Sequence, residues 1–223
     1  MIISLHLPKT AGTSFFDALT RVYGDQLMRD YNDIPLNRPV EERNRKALND
    51  ALHYEQQYRD PASKVACVHG HFLPVKYGLL PCESTQFITW MRHPVERLVS
   101  HYFFWLSAYN ENAAPLHKRV VEENWTLEDF AFSNEMRNVY DQFLFAFPLH
   151  KFDFIGITEH FSDDLCWFAN NIIKTNGDVE EKKLNQKKTT PEISNKLRSE
   201  IETFHEQDMM LYTQALDMRK KRI

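Results

Sequence analysis

An apolar strand that runs directly into a loop of small and polar residues leaves a chain few ways to fold, and this chain opens with one. Ile2 to Leu7 is strand-like, and Pro8-Lys9-Thr10-Ala11-Gly12-Thr13-Ser14 follows it. Phe15, Ala18, Leu19 and Val22 then recur at the spacing of one helical face, which predicts a helix over about 13–24 with Gly24 as its stop. At such a junction the unpaired N–H groups of the first helical turn point into the loop, and the positive end of the helix dipole adds to them. Lys9 contributes a full charge, and Thr10, Thr13 and Ser14 offer hydroxyls. The segment therefore reads as a cradle for a phosphate-bearing ligand. The common nucleotide-triphosphate loop places its lysine directly after the last glycine. Here Lys9 precedes Gly12, so the lysine enters from the strand side. A plain capped helix with a solvated Lys9 is the alternative for the loop taken alone.

The rest of the chain alternates in the same way. Val40 to Arg59 reads as a charged helix with Ala47, Leu48, Ala51 and Leu52 as its inner stripe, after a polar connection over 25–40. Lys64 to His69 and Gln86 to Met91 are short β-branched or apolar runs, and so is Phe152 to Thr158. Pro94 suits a first helical turn, and Val95, Leu98, Val99 and Tyr102 give the following helix its inner face. Thr126 and Asp129 have the spacing of a capping box. Further helices are predicted over about 135–147, 159–174 and 190–222, the last with Ile193, Leu197, Ile201 and Phe204 inward. Residues 176–190 read as a mobile loop. Strands alternating with helices predict an α/β fold: one P-loop-like domain over 1–223, with a central parallel sheet flanked by helices. In such sheets ligands bind beyond the carboxyl ends of the strands. Three strand ends qualify: the Lys9 loop, His69-Gly70-His71, and Arg92-His93-Pro94.

Composition narrows the function classes. A chain of 223 residues with 43% hydrophobic and 26% charged residues is that of one globular domain. A net charge of −4 argues against a broad nucleic-acid face, despite local basic clusters at Lys182-Lys183, Lys187-Lys188 and Arg219 to Arg222. Cys67, Cys82 and Cys166 lack disulfide or zinc spacing, and Cys67 and Cys166 read as reduced core residues. No apolar run approaches a membrane span and no signal peptide opens the sequence, so the expectation is a soluble, cytoplasmic protein.

Three motifs together carry a resemblance. They are P-K-T-A-G-T-S after the first strand, R-H-P-V-E-R-L-V-S-H-Y from Arg92 with Ser100 inside it, and the H-G-H element at another strand end. The combination resembles the carbohydrate O-sulfotransferases that use 3′-phosphoadenosine-5′-phosphosulfate (PAPS), in particular the heparan sulfate and uronyl 2-O-sulfotransferase branch. Phe154-Ile155-Gly156-Ile157-Thr158-Glu159 and Lys187-Lys188-Thr189-Thr190 are further matches. The resemblance implies that Pro8, Lys9, Thr10, Ala11, Gly12, Thr13 and Ser14 hold the 5′-phosphosulfate. It implies that Arg92 and Ser100 hold the 3′-phosphate. Lys187, Lys188, Thr189 and Thr190 read either as a flexible loop ending in a threonine cap or as a lid over the cofactor that donates to the 3′-phosphate or the acceptor. It places the catalytic base in the H-G-H element: His71 first, His69 second, as the base or as an orienting partner. Lys9 would neutralise the leaving phosphate, with 3′,5′-ADP (PAP) as product.

Physical chemistry agrees with these roles. Arginine's planar fork suits a phosphate, a histidine has a pKa suited to a general base, and sulfuryl transfer needs mainly positioning and electrostatics. No acidic residue is well placed after a strand to hold Mg²⁺, so no metal is expected. Arg137, Asn138, Tyr140, Asp141 and Gln142 form a polar cluster that is the candidate surface for a hydroxyl-bearing acceptor, a glycan or glycan precursor. Arg97 reads as a structural or nearby electrostatic residue; His6, His93 and His101 could also face the cleft, with a structural role the first reading of each. The sequence departs from the Golgi members of the family by lacking their N-terminal anchor and by Gly12, where relatives often carry serine. A divergent kinase and a non-catalytic nucleotide- or glycan-binding module are the competing readings.

Overall fold

The computed structural model describes residues 1–58, 64–81, 83–174 and 191–223. Its centre is a five-stranded parallel sheet in the order β2-β3-β1-β4-β5. The strands are β1 (Ile2–Leu5), β2 (Leu27–Asp30), β3 (Cys67–Gly70), β4 (Gln86–Met91) and β5 (Phe154–Ile157). The register sets Leu5 opposite Gly70 on one side and opposite Thr89 on the other, so β1 and β3 end at one level and β4 runs two residues further. The chain first winds outward from β1 and then crosses to the other side with β4. The carboxyl end of β1 is therefore a topological switch point, where α/β sheets bind ligands.

Alternation along the strands sorts the core into two layers. Ile2, Cys67, Ile88, Trp90 and Phe154 pack with α1 (Gly12–Tyr23) and α7 (Phe161–Phe168) on one face. Ile3, Leu5, Val68, Phe87, Met91, Ile155 and Ile157 face the larger layer. That layer includes α3 (Pro94–Ser107), α4 (Pro115–Glu122), α5 (Leu127–Ala131), α6 (Val139–Phe143), α8 (Asn195–Phe204) and α9 (Glu206–Arg222). Helix α1 ends before Gly24, and the Thr126–Asp129 capping box starts α5, as the spacing predicts. Val95, Leu98, Val99 and Tyr102 are buried on α3.

Several expectations are corrected. The stretch read as a connection contains β2, whose short and largely half-exposed LMRD sequence lacks the apolar run that marks a buried strand. Helix α2 (Val40–Tyr58) buries Ala47 and Ala51 but leaves Leu48 47% and Leu52 62% exposed, so its inner stripe is narrower than expected. Cys67 is buried, whereas Cys166 is exposed on α7. The helix expected over 135–147 shortens to α6. The final helix starts at Asn195, capped by Ser194, and breaks at His205 into α8 and α9. Residues 176–190, expected to form a mobile loop, lie outside the described residues. Among the described residues no helix is long and apolar enough to cross a membrane.

Finding β2 exposes a buried charge network at its end. The Lys76 ammonium, 2% exposed, lies 2.7 Å from Asp30 Oδ2 and 3.0 Å from Asp33 Oδ2, and Tyr77 donates to the same Asp30 oxygen at 2.8 Å. Burial opposes the Lys76 charge, but the two carboxylates outweigh it and hold its pKa above the usual value. Lys76→Met leaves Asp33 with Lys46, 2.9 Å from its Oδ1, but leaves the Asp30 carboxylate buried without a cation. We expect it to destabilise the fold by about 3–5 kcal/mol in urea denaturation; a change under about 1 kcal/mol would show that the network contributes little.

Candidate functional site

The strand order sets the three motif-bearing strand ends side by side, with the Lys9 loop between the H-G-H element and Arg92. The loop is held from within. Thr10 is buried, and its hydroxyl donates to the Leu7 carbonyl at 2.9 Å, so it braces the turn instead of facing outward as expected. Lys9 (φ 65°) and Ala11 (φ 64°) are left-handed, while Thr10 between them is not. Each such non-glycine residue costs about 1–2 kcal/mol, so the turn ahead of α1 is held in a strained conformation. Ala11 is the N-cap of α1 and makes no side-chain cap bond, so no capping side chain covers the first-turn amides of Gly12, Thr13 and Ser14. Lys9 is half-buried with Nζ 3.9 Å above the ring of Phe104, which is 47% exposed. Burial lowers the Lys9 pKa, and the nearby Arg92 charge lowers it further.

On the β3 side, the two histidines have different surroundings. His69 is 1% exposed, with Nδ1 2.8 Å from Ser4 Oγ, and burial with the charges of His71 and Arg29 drops its pKa to about 3. His71, just past the strand, is half-buried. Its Nδ1 donates to the His6 carbonyl, because a carbonyl oxygen can only accept. That bond places the neutral ring's proton on Nδ1 and leaves a lone pair on Nε2. Burial lowers the His71 pKa, and the His6 carbonyl partly offsets this. Both rings lie against the His6 ring, at 5.1 Å for His69 and 4.3 Å for His71. Gly70 between them meets β2 so closely that a Cβ would sit 1.7 Å from the Asp30 carbonyl oxygen.

On the β4 side, the Tyr140 hydroxyl accepts from the Arg92 N–H at 3.0 Å and donates to the Arg92 carbonyl at 2.6 Å. Glu159, which follows β5, accepts from the His93 N–H at 2.8 Å and steadies the start of α3. The Arg92 side chain is half-buried and makes no ion pair among the described residues. Ser100 is half-buried two turns along α3. Arg97 is fully buried, its guanidinium 5.6 Å from the Tyr140 ring centre and without a hydrogen-bond partner among the described residues. His101 is also buried, packed on Trp105.

The polar cluster expected to bind an acceptor does not form one open surface. Tyr140 is fully buried, with its hydroxyl committed to Arg92. The Asn138 N–H donates to His205 Nδ1 and the Tyr140 N–H to Asp208 Oδ1, tying α6 to α9. Gln142 donates to the Glu135 and Arg137 carbonyls and accepts from Arg43. Asp141 is exposed but its N–H faces Asp208, and Arg137 is exposed over the Phe204 ring. Lys187, Lys188, Thr189 and Thr190 lie outside the described residues. Sequence reasoning set His6 down as structural and passed over Tyr31 and Phe104. Tyr31 follows β2, which lacked a strand signal, and Phe104 looked like one more apolar helix residue.

Together these residues supply an uncapped helix start with a lysine, a separate arginine, and a histidine whose outer nitrogen can accept a proton. A family model described as the sulfotransferase family matches residues 1–215. No curated protein matches the sequence. Among solved structures the chain is similar to a sulfotransferase from Alicyclobacillus acidocaldarius, at 14% identity and a TM-score of 0.49, over 94% of this chain and 92% of that one. With a family model spanning nearly the whole sequence, from the first strand into the last helix, the chain belongs to the sulfotransferase family.

Proposed function

We propose that the protein transfers a sulfuryl group from PAPS to a hydroxyl of a carbohydrate acceptor, with His71 as general base and PAP as product. One observation carries this reading: the central loop, with its left-handed Lys9 and Ala11 and uncapped helix start, lies between Arg92 and His71. The donor has anions at both ends of an adenosine, and the residues fit that layout. Lys9 and the amides of Gly12, Thr13 and Ser14 would bind the 5′ side, and Arg92 with Ser100 the 3′-phosphate. Lys188, Thr189 and Thr190 are proposed as further donors to the cofactor.

PAPS supplies an activated sulfuryl group. The chain supplies positioning, charge and a proton acceptor. His71 Nε2 takes the acceptor hydroxyl proton, since Nδ1 is engaged by the His6 carbonyl. Lys9 and the start of α1 stabilise the charge that develops on the leaving 5′-phosphate. His69, tied to Ser4, orients the strand end beneath His71. The resemblance to the uronyl 2-O branch supports a sugar hydroxyl as acceptor.

Calorimetry separates the readings. We expect PAP to bind without Mg²⁺, and ATP to bind weakly whether or not Mg²⁺ is present. Tighter, Mg²⁺-dependent ATP binding would overturn the proposal in favour of a kinase. Transfer of ³⁵S from labelled PAPS to arrayed glycans would test the acceptor class.

A further inference from the structure

We propose that His6 is an additional ligand-binding residue of the loop, donating a hydrogen bond from Nε2 to the anion held there. It takes the place of a side chain at residue 12. The inference deepens the proposed function and rests on it for the identity of the anion.

His6 lies one residue past β1, and its N–H still bonds to the Gly70 carbonyl at 2.8 Å, so its backbone is fixed by the sheet. Its ring projects against the first residue of α1. A Cβ built on Gly12 would lie 1.7 Å from His6 Nε2, 2.2 Å from Cδ2 and 2.3 Å from Cε1. The imidazole edge therefore occupies the space of a residue-12 side chain. Backbone conformation gives no reason for glycine here: Gly12 is not among the positive-φ residues, whereas Lys9 and Ala11 are. The contact with His6 is the reason.

The proton's place follows from the other side of the ring. His6 Nδ1 is 2.9 Å from the Tyr31 hydroxyl. A phenol is the stronger donor and a neutral imidazole nitrogen the stronger acceptor, so Tyr31 donates to Nδ1 and the ring carries its proton on Nε2. Burial keeps Tyr31 protonated, its pKa raised to about 12. Burial, then the charges of His71, His69 and Lys9, keep His6 neutral well below its usual pKa. Stacking on His71 and the Tyr31 bond fix the ring plane. Nε2 has no hydrogen-bond partner among the described residues, and it lies beside the first amides of α1.

The test is an exchange of side chains, read by calorimetry with two probes, inorganic pyrophosphate and PAP. His6→Ala should weaken both roughly 10- to 100-fold, the effect of one hydrogen bond to a charged partner. His6→Ala combined with Gly12→Ser puts a hydroxyl into the freed space and should recover most of the loss. His6→Ala combined with Gly12→Ala fills the same space without a donor and should not. If the serine and alanine combinations recover affinity equally, or if His6→Ala leaves both affinities unchanged, the inference is overturned. Should His6→Ala not fold, His6→Asn with the same two partners at residue 12 gives the same comparison. Binding of neither probe by the unaltered protein would also overturn it. Wild-type protein that binds pyrophosphate in a His6-dependent way but not PAP would sustain the inference and count against the sulfotransferase donor.

Discussion

Replacing His71 with alanine should cut sulfuryl transfer by about 10²–10⁴-fold, the usual contribution of a positioned general base, while PAP affinity stays within about twofold of the unaltered protein. The expectation follows from where the proton sits. The His6 carbonyl takes the Nδ1 hydrogen, so the free lone pair is on Nε2 of a half-buried ring. PAP titrations and single-turnover assays would measure the two quantities. A fall in PAP affinity as large as the fall in turnover would make His71 a binding residue. The pH profile is a second check. Burial lowers the His71 pKa below the usual value, with the His6 carbonyl partly offsetting it, so the ring is neutral at neutral pH and above. Activity should be flat there and decline only as pH falls through the lowered value. An acid limb centred above 6.5 would assign the base to another group. His69 should behave differently: its ring is bonded to Ser4 and almost fully buried. His69→Ala should reduce stability along with activity.

The parts of the site legible in sequence were those made by short contiguous patterns. The strand–loop–helix junction, the proline-started α3 and the Thr126 capping box each have a local cause, and each appears where its pattern lies. The parts that were not legible depend on contacts between distant segments. β2 pairs with β3 but has no apolar run of its own, so neither the Asp30–Lys76 network nor the Tyr31–His6 bond could be anticipated. Thr10 looks like an available hydroxyl until the fold brings the Leu7 carbonyl to it. Gly12 looks like loop flexibility, yet the positive φ angles fall on Lys9 and Ala11 and the glycine answers to a ring six residues earlier. Tyr140 is the clearest case. Its neighbours suggest an open sugar-binding surface, whereas its hydroxyl closes on a backbone 48 residues away.

That backbone belongs to Arg92, whose replacement should have the second large effect. Arg92→Ala is expected to weaken PAP roughly 10- to 100-fold, the range for charge-assisted hydrogen bonds lost from a phosphate. It should leave 5′-AMP almost unchanged, because 5′-AMP lacks the 3′-phosphate. Arg92→Lys should restore only part of the difference, since an ammonium keeps the charge but not the paired donors. Equal losses for the two nucleotides would contradict the 3′ assignment and place Arg92 nearer the loop, where its charge already acts on Lys9. Tyr140→Phe gives the same measurement a positioning arm. It keeps the ring beneath Arg97 but removes both bonds to the Arg92 backbone. If Tyr140 aims Arg92, this variant narrows the gap between PAP and 5′-AMP by less than Arg92→Ala does. If it only supports the fold, melting temperature drops while the ratio of the two affinities stays constant. The Tyr140 N–H in turn donates to Asp208 Oδ1 on α9, so the far end of the chain holds the arginine that would recognise the 3′ end of the donor.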